Sequence, residues 1–155
     1  FLRERIGEKK GKIVNSRGEI VGVHPGIMFF TIGERVRENK GLKIFNERKK
    51  EFPGKIYIAK KKENNVLVVA PEGHEILKTK RVHLKNFKLI NENEKIPKNL
   101  KARIRHLGEL HSGKLQNKRG SFIFEFDRSV EGAAPGQFLV LHSGERLVGC
   151  GEMRG

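Results

Sequence analysis

The chain has 155 residues, 36% of them hydrophobic, and 33 Lys and Arg against 18 acids give it a net charge of +15. That length suits one ordinary domain or two small ones, with a modest core in either case. The lone cysteine, Cys150, excludes an intrachain disulfide and a multi-cysteine zinc site, and no apolar run approaches the ~18 residues of a membrane span.

In chain order, Phe1 to Ile6 reads as the last turn of a helix stopped by Gly7. Lys12 to Val14, a turn at Asn15 to Gly18 and Glu19 to Val23 predict a first hairpin, followed by a third strand at Ile27 to Ile32. Residues 34–54, rich in Lys, Glu and Asn, read as a long charged loop. Lys55 to Lys60 and Val66 to Ala70 flank Glu63-Asn64-Asn65, a natural hairpin because Asn tolerates the left-handed region. Residues 71–81 read as a connector, Val82 to Ile90 as the strand that opens a second domain, and Asn91 to Asn99 as a loop. Further strands are predicted at Lys101 to His106, Ser121 to Asp127, Gln137 to His142 and Arg146 to Met153, with Ser143-Gly144 as a two-residue turn. Phe122, Phe124 and Phe126 fall on one face of their strand and read as core, with stacking on nucleic-acid bases as the rival role.

The excess of cations lies in both halves of the chain, and a field of that sign attracts polyanions and supplies the sequence-independent part of nucleic-acid affinity. Solubility alone is the competing explanation. Lys101, Arg103 and Arg105, two residues apart, share one face of a predicted strand and can meet successive phosphates, with His106 on the other face. Arg35 is placed to reach a phosphate or to pair with Glu34. His24 stands between glycine-bearing turns, suited to a backbone carbonyl in a tight bend or to RNA. The six histidines show no spacing for a metal site, Asp127 is the only Asp, and neither a Ser-Gly-Gly-x-Asp-Ser loop nor a Gly-x-x-x-x-Gly-Lys-Ser/Thr loop occurs.

Three stretches share a family likeness. From Gly22 to Arg35 the chain reads Gly-Val-His-Pro-Gly-Ile-Met-Phe-Phe-Thr-Ile-Gly-Glu-Arg. Ala102-Arg103-Ile104-Arg105-His106 forms a basic strand. Phe124-Glu125-Phe126-Asp127 is followed by Ala134-Pro135-Gly136-Gln137 and a hairpin ending Gly149-Cys150-Gly151. In this order they resemble the central and C-terminal domains of the bacterial-type tRNA-specific 2-thiouridylases, which sulfurate the wobble uridine of certain tRNAs. Glu34 stands where that family usually has Gln, Phe30 where it has Tyr, and Cys150 where it has Gly, so Cys150 reads as a structural thiol.

The resemblance implies tRNA contact at Arg105, His106 and Gln137, with Arg103, Lys101 and Arg35 as further candidates. It also implies that ATP binding and the sulfur-carrying cysteines belong to an N-terminal domain absent from this chain, whose start at Phe1 rather than Met points to a piece of a longer protein. The expectation is therefore an all-β chain of two small barrels, residues 1–78 and 79–155, the second similar to elongation-factor barrels. It would be a cytoplasmic monomer that binds tRNA, holds no cofactor or metal, meets a sulfur-donor protein only through the parent enzyme, and is inactive alone. The rival is a free-standing RNA-binding barrel associated with translation. A self-sufficient enzyme using His24 or His106 as general base lacks a nucleophile near either.

Overall fold

A computed structural model describes residues 9–154, so the predicted helix end at Phe1 to Ile6 lies outside the described residues. The chain divides into two compact units, Phe1–Leu77 and Lys78–Gly155. Both are built of strands, as expected for an all-β chain, and among the described residues no helix is long and apolar enough to cross a membrane.

The first unit contains β1 (Gly11–Val14), β2 (Ile20–His24), β3 (Lys43–Ile44), β4 (Ile56–Lys62) and β5 (Val66–Pro71), in sheet order β3-β2-β1-β5-β4. β1 and β5 run parallel, and the other pairs are antiparallel. The β4–β5 hairpin turns through Asn64 and Asn65, both left-handed at φ 60 and 62, the conformation that Asn accepts at low cost. Asn65 then works as a clamp. Its Oδ1 accepts from the Ile27 N–H at 3.0 Å, its Nδ2 donates to the Lys9 carbonyl at 2.6 Å, and its own carbonyl meets His24 Nε2 at 3.0 Å.

Two expectations for this unit fail. Ile27 to Ile32 is not a strand: Ile27–Phe29 forms a 3-10 turn that carries Phe30 into the core, 3% exposed, edge-on to His24 at 5.9 Å. Nor is 34–54 a charged loop. Val36 N–H donates to the Ile56 carbonyl and Ile58 N–H to the Glu34 carbonyl, so residues 34–36 add to the free edge of β4. Further along, β3 and Phe45 bond to β2 at the opposite edge. One segment thus touches both edges of the sheet and rolls it around Ile13, Val21, Ile58, Leu67 and Val69. Leu42, Ile44 and Phe52 are the buried residues that fasten it, each worth roughly 1.5–3 kcal/mol of burial. Leu42 and Ile44 alternate with exposed Lys43 about the two-residue β3, a run too short to stand out in sequence, and Phe52 follows a 3-10 turn among charged residues.

The second unit is a closed barrel of six strands, ordered β10-β11-β6-β9-β8-β7. They are β6 (Lys78–Leu89), β7 (Leu100–Arg103), β8 (Leu110–Lys118), β9 (Ser121–Glu131), β10 (Phe138–Ser143) and β11 (Arg146–Met153). β6 starts within the predicted 71–81 connector. β8, which sequence patterning did not predict, has no apolar alternation but supplies Gly113, where an added Cβ would lie 2.4 Å from the Glu125 carbonyl oxygen. Phe124 and Phe126 are fully buried in the barrel with Leu100, Ala102, Leu139 and Leu141, and Phe122 packs at the edge of that core. Losing one such ring costs roughly 3–5 kcal/mol.

Candidate nucleic-acid interface

On β7, period-two alternation sends Leu100 and Ala102 inward, which leaves Lys101 exposed and Arg103 half-buried on the outer face. The antiparallel ladders set their neighbours: Lys101 lies opposite His142 on β10 and Ser112 on β8, and Arg103 opposite Val140 and Leu110. Two cations and an imidazole therefore share an outward patch across the paired strands β7 and β10. His142 carried no sequence signal, because its nearness to Lys101 depends on which strands pair.

The strand ends at Arg103, earlier than predicted. Arg105 stands in a bend and His106 in a turn closed by the Gly108 N–H donating to the Arg105 carbonyl at 2.9 Å. The predicted three-cation stripe is thus two cations on β7 with Arg105 beyond its end, and His106 is not on the reverse face of the strand. The reason is Leu107, left-handed at φ 58 and 83% exposed, which turns the chain toward β8.

Arg105 reaches across to the turn between β9 and β10. Its Nη2 lies 2.9 Å from where a Cβ of Gly132 would stand, and Gly132 is itself left-handed at φ 82, so only glycine both makes this turn and leaves room for the guanidinium. The same turn carries Gln137. Its N–H donates to the Ala134 carbonyl and its carbonyl accepts from Met153, while Gly136 N–H also bonds to Met153. The next residue, Phe138, is 58% exposed on the outward side of β10, opposite Glu152.

Lys101, Arg103 and Arg105 have no ion-pair partner among the described residues, although Arg81, Lys85 and Arg146 of the same barrel pair with Glu125, Glu152 and Glu94. Arg103 Nε, His142 Nε2 and Gln137 Oε1 are enclosed atoms without hydrogen bonds in the protein. A buried polar atom left unpaired costs roughly 1–3 kcal/mol, and because these atoms are enclosed a polar ligand reaches them only when the side chains rearrange. Chemically the patch offers charge-assisted donors and an exposed aromatic ring, a combination suited to phosphates and bases.

Arg35 belongs to the first unit. Its expected rival partner is taken: Glu34 accepts from the Thr31 N–H at 2.9 Å and pairs with Lys40. Arg35 instead lines a cavity of about 280 Å³ with Lys49 and Lys55. His24 is 1% exposed, and burial pushes its imidazole below the ordinary value. Cys150 is a half-buried free thiol, and among the described residues no three His, Cys, Asp or Glu stand together as a metal site.

Family comparison divides the chain as the structure does. A family described as tRNA methyl transferase PRC-barrel domain matches residues 1–71, and one described as aminomethyltransferase beta-barrel domain matches residues 79–153. The chain is 30% identical over 154 residues to the tRNA-specific 2-thiouridylase MnmA of Halorhodospira halophila, covering 97% of this chain and 39% of that protein. It is 33% identical over 165 residues to MnmA 1 of Bacteroides thetaiotaomicron, covering 99% and 43%, and 29% identical over 151 residues to MnmA of Mycoplasmopsis synoviae, covering 96% and 38%. The chain spans about two-fifths of the length of these curated relatives.

Proposed function

Because the chain belongs to the tRNA-specific 2-thiouridylase family, whose two barrel domains it matches, we propose that it is the tRNA-gripping part of such an enzyme. The observation that carries this is the unpaired cationic corner of the second barrel, where Lys101, Arg103 and Arg105 face outward without acidic partners. Arg105 and His106 meet the sugar-phosphate backbone, and Gln137 places its half-buried side-chain amide beside a ribose or base. Phe138 adds a stacking surface that sequence reasoning passed over as an ordinary strand residue.

In the whole protein the bound tRNA would present its wobble uridine to a catalytic domain that uses ATP and receives sulfur from a persulfide donor protein in the cytoplasm. This chain's residues do not fit ATP: its sequence has neither phosphate-cradling loop, and its single cysteine cannot form a sulfur-relay pair. No step of activation is assigned to it. Binding is tested by titrating a tRNA transcript at several salt concentrations. The logarithm of affinity should fall by roughly 0.7–0.9 per phosphate neutralised for each tenfold rise in salt. Affinity indifferent to salt would refute the reading. Given ATP, a persulfide donor and tRNA, the chain alone should yield neither thiouridine nor pyrophosphate above a no-protein control.

A further inference from the structure

The first unit holds a concave feature whose chemistry differs from the barrel patch. The cavity of about 280 Å³ lies at the small end of ligand pockets, which run from roughly 300 to 1,000 Å³. Its wall is apolar: Ile44 and Phe52 are buried core residues, and Val36 and Ile56 are half-buried beside them. Its rim is cationic. The acid at the rim, Glu38, is held by Lys49 at 2.9 Å, and Lys55 leans to Glu72 at 3.4 Å. Arg35 has no ion-pair partner among the described residues. Its backbone is bridged to Tyr57, and the hydrogen bonds on either side of it anchor this short segment to β4.

We infer that this cavity receives one unpaired nucleotide of a bound RNA, its base against the half-buried Val36 and Ile56 and the exposed edge of Phe52 and its phosphate on Arg35. An apolar wall beside a planar guanidinium on an anchored backbone accepts a π-face and a bidentate oxyanion together, which a neutral apolar ligand or a bare phosphate would use only in part. The volume admits a base and excludes a helix. A base in a duplex is already stacked and cannot enter, so single-stranded or looped RNA is the form selected. The chain's +15 favours a polymer over a free mononucleotide. This site rests on the tRNA-binding reading above and adds to it a contact in the other unit.

The test follows amide signals of the isotopically labelled chain during titration with a tRNA transcript, a blunt RNA duplex and AMP. Arg35, Val36 and Gly54 report on the cavity, and residues 105–107 on the barrel loop. tRNA should move both sets, and the duplex only the loop. Val36→Trp, which fills the cavity, should abolish the Gly54 shift and weaken tRNA binding on the order of tenfold while leaving duplex affinity unchanged. If that variant melts early, Arg35→Gln should still lower tRNA affinity, because no ion pair of the fold is lost with it. Saturating tRNA that moves 105–107 but not 35, 36 and 54 overturns the cavity assignment alone. Cavity shifts with the duplex, or with AMP but not tRNA, overturn it as well. No shift anywhere with tRNA overturns the binding reading and this site together.

Discussion

Arg105→Ala separates a contact from a solvated charge. The side chain is exposed and makes no ion pair among the described residues, and its recorded packing is over Gly132. Removing it therefore costs the fold no more than about 0.5 kcal/mol, a melting shift under roughly 4 °C for a domain of this size. Binding should change far more. If the guanidinium neutralises one phosphate, the salt slope falls by roughly 0.7–0.9. Affinity at fixed salt drops on the order of tenfold, equivalent to about 1.4 kcal/mol. Since a phosphate carries no sequence information, different tRNAs should lose about the same amount. The assay is a salt-dependent binding titration of two tRNAs, with thermal melts of each variant. Lys62→Ala, an exposed cation on β4, supplies the reference for generic charge loss. Equal losses at 62 and 105, with both folds intact, would refute a specific role for Arg105.

Gly132→Ala should reproduce much of that loss without touching a cation, because its Cβ would displace the guanidinium and its left-handed φ of 82 would add about 1–2 kcal/mol of strain; tRNA titration and melting measure the two effects separately. Stability should also depend on His24. Its folded value lies below the ordinary one of 6.5, so the unfolded chain binds the extra proton: stability is complete above about pH 6.5 and falls as pH drops below it, by up to about 1.4 kcal/mol per unit, until the folded value is reached. Denaturant unfolding between pH 8 and 5 should show this slope, and His24→Gln, which keeps a donor for the Asn65 carbonyl, should flatten it. Glu19, held at about 2 first by its hydrogen bond from Asn15 and then by Arg17, titrates in a lower window, between 4.5 and about 2, so the two effects are separable.

What the sequence by itself determined is local. Alternation placed Phe124 and Phe126 in a core and put Lys101 and Arg103 on an outward face, because a strand's side-chain period is two whatever its neighbours are. Asn64-Asn65 turned as predicted because the left-handed region is a property of those residues. Only tertiary structure decided the rest. Residues 34–54 joined both edges of the first unit's sheet because Leu42, Ile44 and Phe52 found a core that so short an apolar pattern does not announce. The ladder between β7 and β10 set His142 beside Lys101, and the turn at Gly132 received Arg105, contacts that depend on register between strands distant in the chain. Partner and register are fixed by closing the barrel, a global event, so the cations were legible one at a time while the site they form was not.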